Sequence, residues 1–125
     1  MKNYTMLLAE YITKLEYNSI PVEVINKTKE LFIDWLGCCF AGSKSEVTSL
    51  IKNVSKYIGE GKGASIIGSN QEASPFVAAL VNGASSHAVE LDDVHNGSIF
   101  HPGATVIPAA FAVAQDKKLS GKEDR

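Results

Sequence analysis

The residues equipped for chemistry lie in one stretch, 85–108. It holds all three histidines of the chain, His87, His95 and His101, and three carboxylates within four positions, Glu90, Asp92 and Asp93. No Lys or Arg occurs between Lys62 and Lys117, so these acids have no cationic neighbour in sequence. Elsewhere the acids are interspersed with lysines, as on solvated helix faces. Imidazoles beside carboxylates are the usual means of moving protons near neutral pH, because a carboxylate can fix a histidine's tautomer and raise its basicity. Asp92, Asp93, His95 and His101 could supply the base and the acid of an elimination, one group removing a proton beside a carboxylate and another protonating a departing hydroxyl. Glu90, Ser98 and His87 are placed as substrate contacts. Each has a structural alternative: His87 as a helix-end packing residue, Glu90 as a solvated acid, one of the two aspartates as the cap of the following turn. The same oxygen and nitrogen donors could hold a divalent ion. No helical His-x-x-x-His spacing accompanies them, and no metal is expected. A polycarboxylate substrate would need cations, which this stretch lacks, so half of the site is expected to come from elsewhere.

The elements that must position this stretch are helical. A stripe of Tyr4, Leu7, Leu8, Tyr11, Ile12 and Leu15 predicts an amphipathic helix over 4–16. Ser19 as cap and Pro21 in the first turn predict a second helix over 21–41, ended by Gly42. Its stripe runs from Val24 to Cys39, and its apolar end marks it as a core helix. A third helix fits 45–58, with Val47, Leu50, Ile51, Val54, Tyr57 and Ile58 on one face. Residues 64–68 form an extended piece too short for a sheet, and 69–73 are turn-like. Ser74-Pro75 opens a fourth helix that runs to Ala88, and its small residues Gly83 to Ser86 predict close packing inside the molecule. Glu90 to His101 is an irregular connection. A fifth helix covers 103–116, with Pro108 predicting a kink or a late start. The fold class is therefore all-α, a bundle of about five helices.

Length and composition agree with one domain. The chain has 125 residues, 45% hydrophobic and 21% charged, with net charge −2. That balance excludes a disordered chain and carries no basic footprint for nucleic acid or an anionic membrane surface. No apolar run reaches the about 20 residues of a membrane span, and no secretory signal is present, so a cytoplasmic location is expected. Cys38 and Cys39 are adjacent in an apolar helix and read as small core residues. Ser120-Gly121-Lys122-Glu123 matches a capping box, the start of a further helix. With it the chain reads as the N-terminal part of a longer one.

Several of these segments together resemble the N-terminal part of the MmgE/PrpD family. They are Phe32-Ile33-Asp34-Trp35-Leu36-Gly37 with Ala41-Gly42, Val81-Asn82-Gly83 with Ser86-His87-Ala88, Glu90-Leu91-Asp92-Asp93-Val94-His95, and His101-Pro102-Gly103. The family includes 2-methylcitrate dehydratase, cis-aconitate decarboxylase and iminodisuccinate epimerase. The resemblance implies a larger two-domain enzyme, a helical domain and an α+β lid, acting without a cofactor and as a homodimer. It implies roles for Asp92, Asp93 and His101 in a site completed by later residues. Glu90 and Val94 stand where the decarboxylase-like branch has Asp and Thr, so the segment does not select among dehydration, decarboxylation and epimerisation. Two classes stay open: a lyase or isomerase on a small di- or tricarboxylate, of which this chain is one half, and a non-catalytic helical fragment or interaction module. The isolated chain is expected to be inactive, to expose an apolar face and to self-associate.

Overall fold

A computed structural model describes residues 3–59 and 61–122. Its described residues form five α-helices, α1 (Tyr4–Lys14), α2 (Val22–Gly42), α3 (Glu46–Ser55), α4 (Pro75–His87) and α5 (Pro102–Lys117), with two short strands, β1 (Ala64–Ser65) and β2 (Glu72–Ala73). The all-α expectation holds. The capping box at 120–123 reaches beyond the described residues, because Glu123 is not among them.

The organising helix is α4. Ser74 caps it by accepting from the Val77 N–H, and Pro75 occupies the first turn, where its missing N–H costs nothing. Val77, Ala78, Val81, Asn82, Ser85 and Ser86 are all buried along it. It packs against α2, α3 and α5. Small residues allow that crowding. A Cβ on Gly42, at the end of α2, would sit 1.9 Å from the Ser85 carbonyl oxygen, and one on Gly83 would sit 2.8 Å from that of Ala104. Gly42 therefore serves close helix approach, and it is still helical rather than a left-handed stop. Buried hydroxyls join the same interface: Ser85 Oγ donates to the Cys39 carbonyl at 2.9 Å. Thr48 Oγ1 donates to the Gly42 carbonyl, also at 2.9 Å, tying α3 to α2. Across α2 and α5, Phe32, Trp35 and Phe111 pack with ring centroids 5.4–5.7 Å apart.

The segment 64–73 departs from the sequence expectation. It is a small antiparallel pair, Ala64 opposite Ala73 and Ser65 opposite Glu72. Two such strands are not stable alone. Amide side chains from the helices hold them. Asn82 accepts from the Ile67 N–H and donates to the Ser65 carbonyl, both at 2.9 Å. Gln115 accepts from the Ser65 N–H at 2.9 Å and donates to Ser65 Oγ at 3.0 Å. Two other expectations are corrected. Ser19 ends a single 3₁₀ turn and donates to the Glu16 carbonyl, and Pro21 is the residue before α2. Pro108 does not delay α5, which starts at Pro102; the proline lies buried against Gly83, and its missing donor lies inside an otherwise helical run. The third helix ends at Ser55, short of the expected 58; Thr48 and Ser55 are buried, and the apolar face of Val47, Leu50 and Val54, with Tyr57 and Ile58 beyond the helix, is exposed. The stripe of α1 is exposed as well, and none of its residues is buried. No described helix is long and apolar enough to cross a membrane.

Candidate active site

Two helix ends meet at the site. Gly83 backs onto Ala104 and Pro108, so α4 and α5 run antiparallel in contact, and the end of α4 lies beside the start of α5. His87 is the last residue of α4, and His101 directly precedes α5. Their rings stand edge to face, 4.7 Å apart. The loop between them turns back at once. Glu90 takes a left-handed φ of 49°, which swings the chain so that Asp92 returns beneath the helix end. The Asp92 side chain is 1% exposed. Both of its oxygens face His87 Nδ1, at 3.0 and 3.1 Å. His101 Nδ1 lies 3.2 Å from Asp92 Oδ2. That approach is within ion-pair distance but off the line of a hydrogen bond, so the buried nitrogen is left without one.

Asp93 works differently. Its Oδ1 accepts the Gly103 N–H at 2.9 Å, a cap supplied to α5 from ten residues earlier. The first N–H groups of a helix have no partner within it, and a carboxylate there also meets the positive end of the helix dipole. A Cβ on Gly103 would lie 2.4 Å from that same oxygen, so glycine is required for the contact. Of the two aspartates, one therefore caps and the other faces the imidazoles. Asp93 thereby fixes where α5 begins, and with it His101.

The remaining residues singled out by sequence are placed apart. His95 is exposed, with Nδ1 2.8 Å from Ser98 Oγ within its own turn, and a lone bridge pairs its backbone with Phe100. Ser98 is thus engaged with His95. Glu90 is exposed at the left-handed turn. Ile99 is a second left-handed residue, φ 50°, and is 86% exposed. Of the seven candidates, the structure brings together His87, Asp92 and His101. One donor atom from each lies within 4.8 Å of the others, so these three are the described residues that could hold a metal ion. The wider donor set, with Glu90, Asp93 and His95, is not gathered.

Beneath the loop lies α2. Burial pushes the Cys38 thiol up from its ordinary value, and the charges of Asp34, Asp92 and Asp93 push it further. Burial, and then the neighbouring Cys38, pushes Cys39 up to about 12. Both thiols stay protonated at neutral pH, consistent with core residues rather than nucleophiles.

The MmgE/PrpD N-terminal domain model matches residues 7–124. The chain belongs to the MmgE/PrpD family. It is 36% identical over 116 residues to the cis-aconitate decarboxylase-like protein oryM of Aspergillus oryzae, covering 90% of this chain and 23% of that protein. It is 27% identical to cis-aconitate decarboxylase of Aspergillus terreus, over 94% of this chain and 24% of that enzyme. The human cis-aconitate decarboxylase is 28% identical over 98% of this chain and 25% of its own length. This MmgE/PrpD chain thus spans about a quarter of the curated relatives it matches.

Proposed function

We propose that this chain supplies the N-terminal part of the active site of a lyase or isomerase acting on a small di- or tricarboxylate. The observation that carries this reading is the convergence of His87 and His101 on the buried carboxylate of Asp92. Two imidazoles close together can furnish a base and an acid on one face of a substrate. Dehydration, decarboxylation and epimerisation of such substrates share one demand, the making or quenching of a carbanion beside a carboxylate. Proton transfer to or from carbon is the service this cluster offers. In the roles proposed, His101 exchanges the proton with substrate, Asp92 orients it, and Asp93 holds the start of α5 in place. His95, Glu90 and Ser98 lie apart from this cluster, on the exposed loop. The relatives' names make cis-aconitate the first substrate to try, with 2-methylcitrate, the dehydratase substrate, as the second.

Cations for the substrate's carboxylates come from outside residues 63–116, which contain no Lys or Arg. A further domain or a second copy of the chain would supply them. The exposed apolar stripes of α1 and α3 support such an association, because contiguous apolar surface of this kind marks interaction faces. The test is an activity screen of the complete reading frame on both substrates, followed by proton NMR, with His101→Ala as control. Turnover lost in the variant is the expected result. Turnover that survives His101→Ala, or no turnover of any di- or tricarboxylate offered, would remove the reading in favour of a scaffold without catalysis.

A further inference from the structure

We propose that His87, Asp92 and His101 bind one divalent transition-metal ion, with zinc as the test case, and that the bound ion shuts off proton transfer at this site. The inhibition rests on the proposed proton transfer; the binding does not. The ion is a regulator of the site and not a cofactor of the reaction.

The fold makes the donor set that the sequence spacing does not. The left-handed turn at Glu90 returns Asp92 beneath the end of α4, and Asp93 fixes the start of α5, so the three residues meet. One donor atom from each lies within 4.8 Å of the others. The separate distances are those of a coordination sphere. Ligands held about 2.0–2.1 Å from one zinc ion, at angles of about 90–110°, stand roughly 2.9–3.4 Å apart. Asp92 Oδ2 lies 3.0 Å from His87 Nδ1 and 3.2 Å from His101 Nδ1. The second approach is not a hydrogen bond, and the buried His101 Nδ1 has no hydrogen-bond partner. A buried polar atom without a partner costs free energy, and an ion among the three donors would satisfy it.

The donors also select the ion. Two imidazole nitrogens and one carboxylate oxygen suit zinc and its neighbours, whereas magnesium and calcium take oxygen ligands. The Asp92 side chain is 1% exposed, so water screens its charge little, and the half-exposed His87 leaves a way in. Among the described residues, Asp92 has ion-pair contacts with the two histidines and with no Lys or Arg. Cys38 lies outside the set, and its thiol is kept protonated by burial and by Asp34, Asp92 and Asp93, whereas metals bind the thiolate. Inhibition follows from the chemistry of imidazole. A neutral ring carries one proton and one lone pair. A ring that gives its lone pair to the ion keeps its proton on the other nitrogen and cannot accept a second. His101 then takes no proton from substrate, and Asp92 holds the ion instead of orienting His101.

The test is equilibrium dialysis of the complete reading frame, first stripped with a chelator, against zinc chloride, with bound metal read by elemental mass spectrometry. One zinc per chain that depends on these three residues is expected, and excess magnesium should not displace it. Removing an outer-shell partner of a bound metal commonly costs about 10–100-fold in affinity, and removing a ligand costs no less. His101→Ala and His87→Gln should therefore each weaken that zinc by about tenfold or more, while Cys38→Ala leaves it in place. His87→Gln alters a half-exposed side chain, so it reports binding even if His101→Ala disturbs the fold. Turnover should fall as zinc is added and return with the chelator. Zinc binding unchanged in both histidine variants, zinc lost in Cys38→Ala, or turnover that rises with bound zinc would overturn the proposal. Zinc held by these residues in a protein that turns nothing over would defeat the enzymatic reading alone, and turnover with no zinc bound by them would defeat the metal site alone.

Discussion

Replacing Asp93 separates a cap from a catalyst, since the two roles make opposite demands on one side chain. The carboxylate accepts the Gly103 N–H at 2.9 Å, and Gly103 is buried. Asp93→Ala leaves that donor unsatisfied at the first turn of α5. An unpaired buried donor costs about 1–3 kcal/mol, and losing a helix cap about 0.5–2 kcal/mol. These describe the same lost contact, so they overlap and are not summed, and a loss of about 1–3 kcal/mol is expected. In a domain of this size 1 kcal/mol moves the melting temperature by roughly 3–6 °C, so Asp93→Ala should melt several degrees lower, up to about 18 °C. Asp93→Asn keeps an oxygen acceptor at the same place and loses only the charge at the helix end, about 0.3–1 kcal/mol. Its melting temperature should fall by only a few degrees. Thermal unfolding followed by circular dichroism reads both. Activity of the complete reading frame should follow stability, with Asn retaining most of it and Ala losing it as His101 drifts. An Asn variant that melts normally yet has no activity would refute the reasoning, because it would mean the charge of Asp93 acts on the substrate itself.

Three further perturbations test the frame and its chemistry. Gly42→Ala places a methyl 1.9 Å from the Ser85 carbonyl oxygen, so α2 and α4 must separate by more than an ångström; a loss of about 2 kcal/mol or more is expected in urea unfolding, and an unchanged midpoint would show that the helices do not meet there. Burial, with Cys38 beside it, holds the folded Cys39 thiol up to about 12 against the ordinary 9.0. The unfolded chain therefore releases the proton first, so the stabilisation is complete below pH 9 and is lost as pH rises from there toward 12. Subtracting the alkaline unfolding curve of Cys39→Ala should isolate this slope, and identical pH dependence in both proteins would show it absent. Ile99 is a β-branched residue held at φ 50° with its side chain in solvent. Left-handed backbone costs such a residue roughly 1–2 kcal/mol, partly offset by the unfolded-state freedom of its replacement, so Ile99→Gly should raise the melting temperature by a few degrees; a lower melting temperature would contradict this.

Much of the fold is legible in the sequence, and what is not has identifiable causes. Ser74-Pro75 marks the start of α4 because the cap and the proline act within one turn. The run Gly83 to Ser86 marks crowding because small side chains are what crowding requires. The strand pair at 64–73 is not legible, because its partners Asn82 and Gln115 lie far along the chain and are ordinary polar residues on helices. The stripes of α1 and α3 show which faces are apolar but not what covers them, and the structure leaves both exposed. At the site, the enrichment of acids and imidazoles was visible, but its division of labour was not. Asp92 and Asp93 differ by one position, and the left-handed turn at Glu90 decides which of them meets a histidine. His87 reads from sequence as a helix-end residue; only the return of Asp92, five positions on, makes it a partner.

The central claim is that the histidines flanking the 88–100 loop move a proton to or from carbon beside a carboxylate. It is tested most directly by incubating the complete reading frame with cis-aconitate and 2-methylcitrate in deuterium oxide and measuring deuterium bound to carbon. All three reactions of the family place a solvent deuteron on carbon in one direction or the other. Incorporation that disappears in His101→Ala and falls sharply in His87→Ala is the result the account predicts. Incorporation at the same rate in both variants would contradict it.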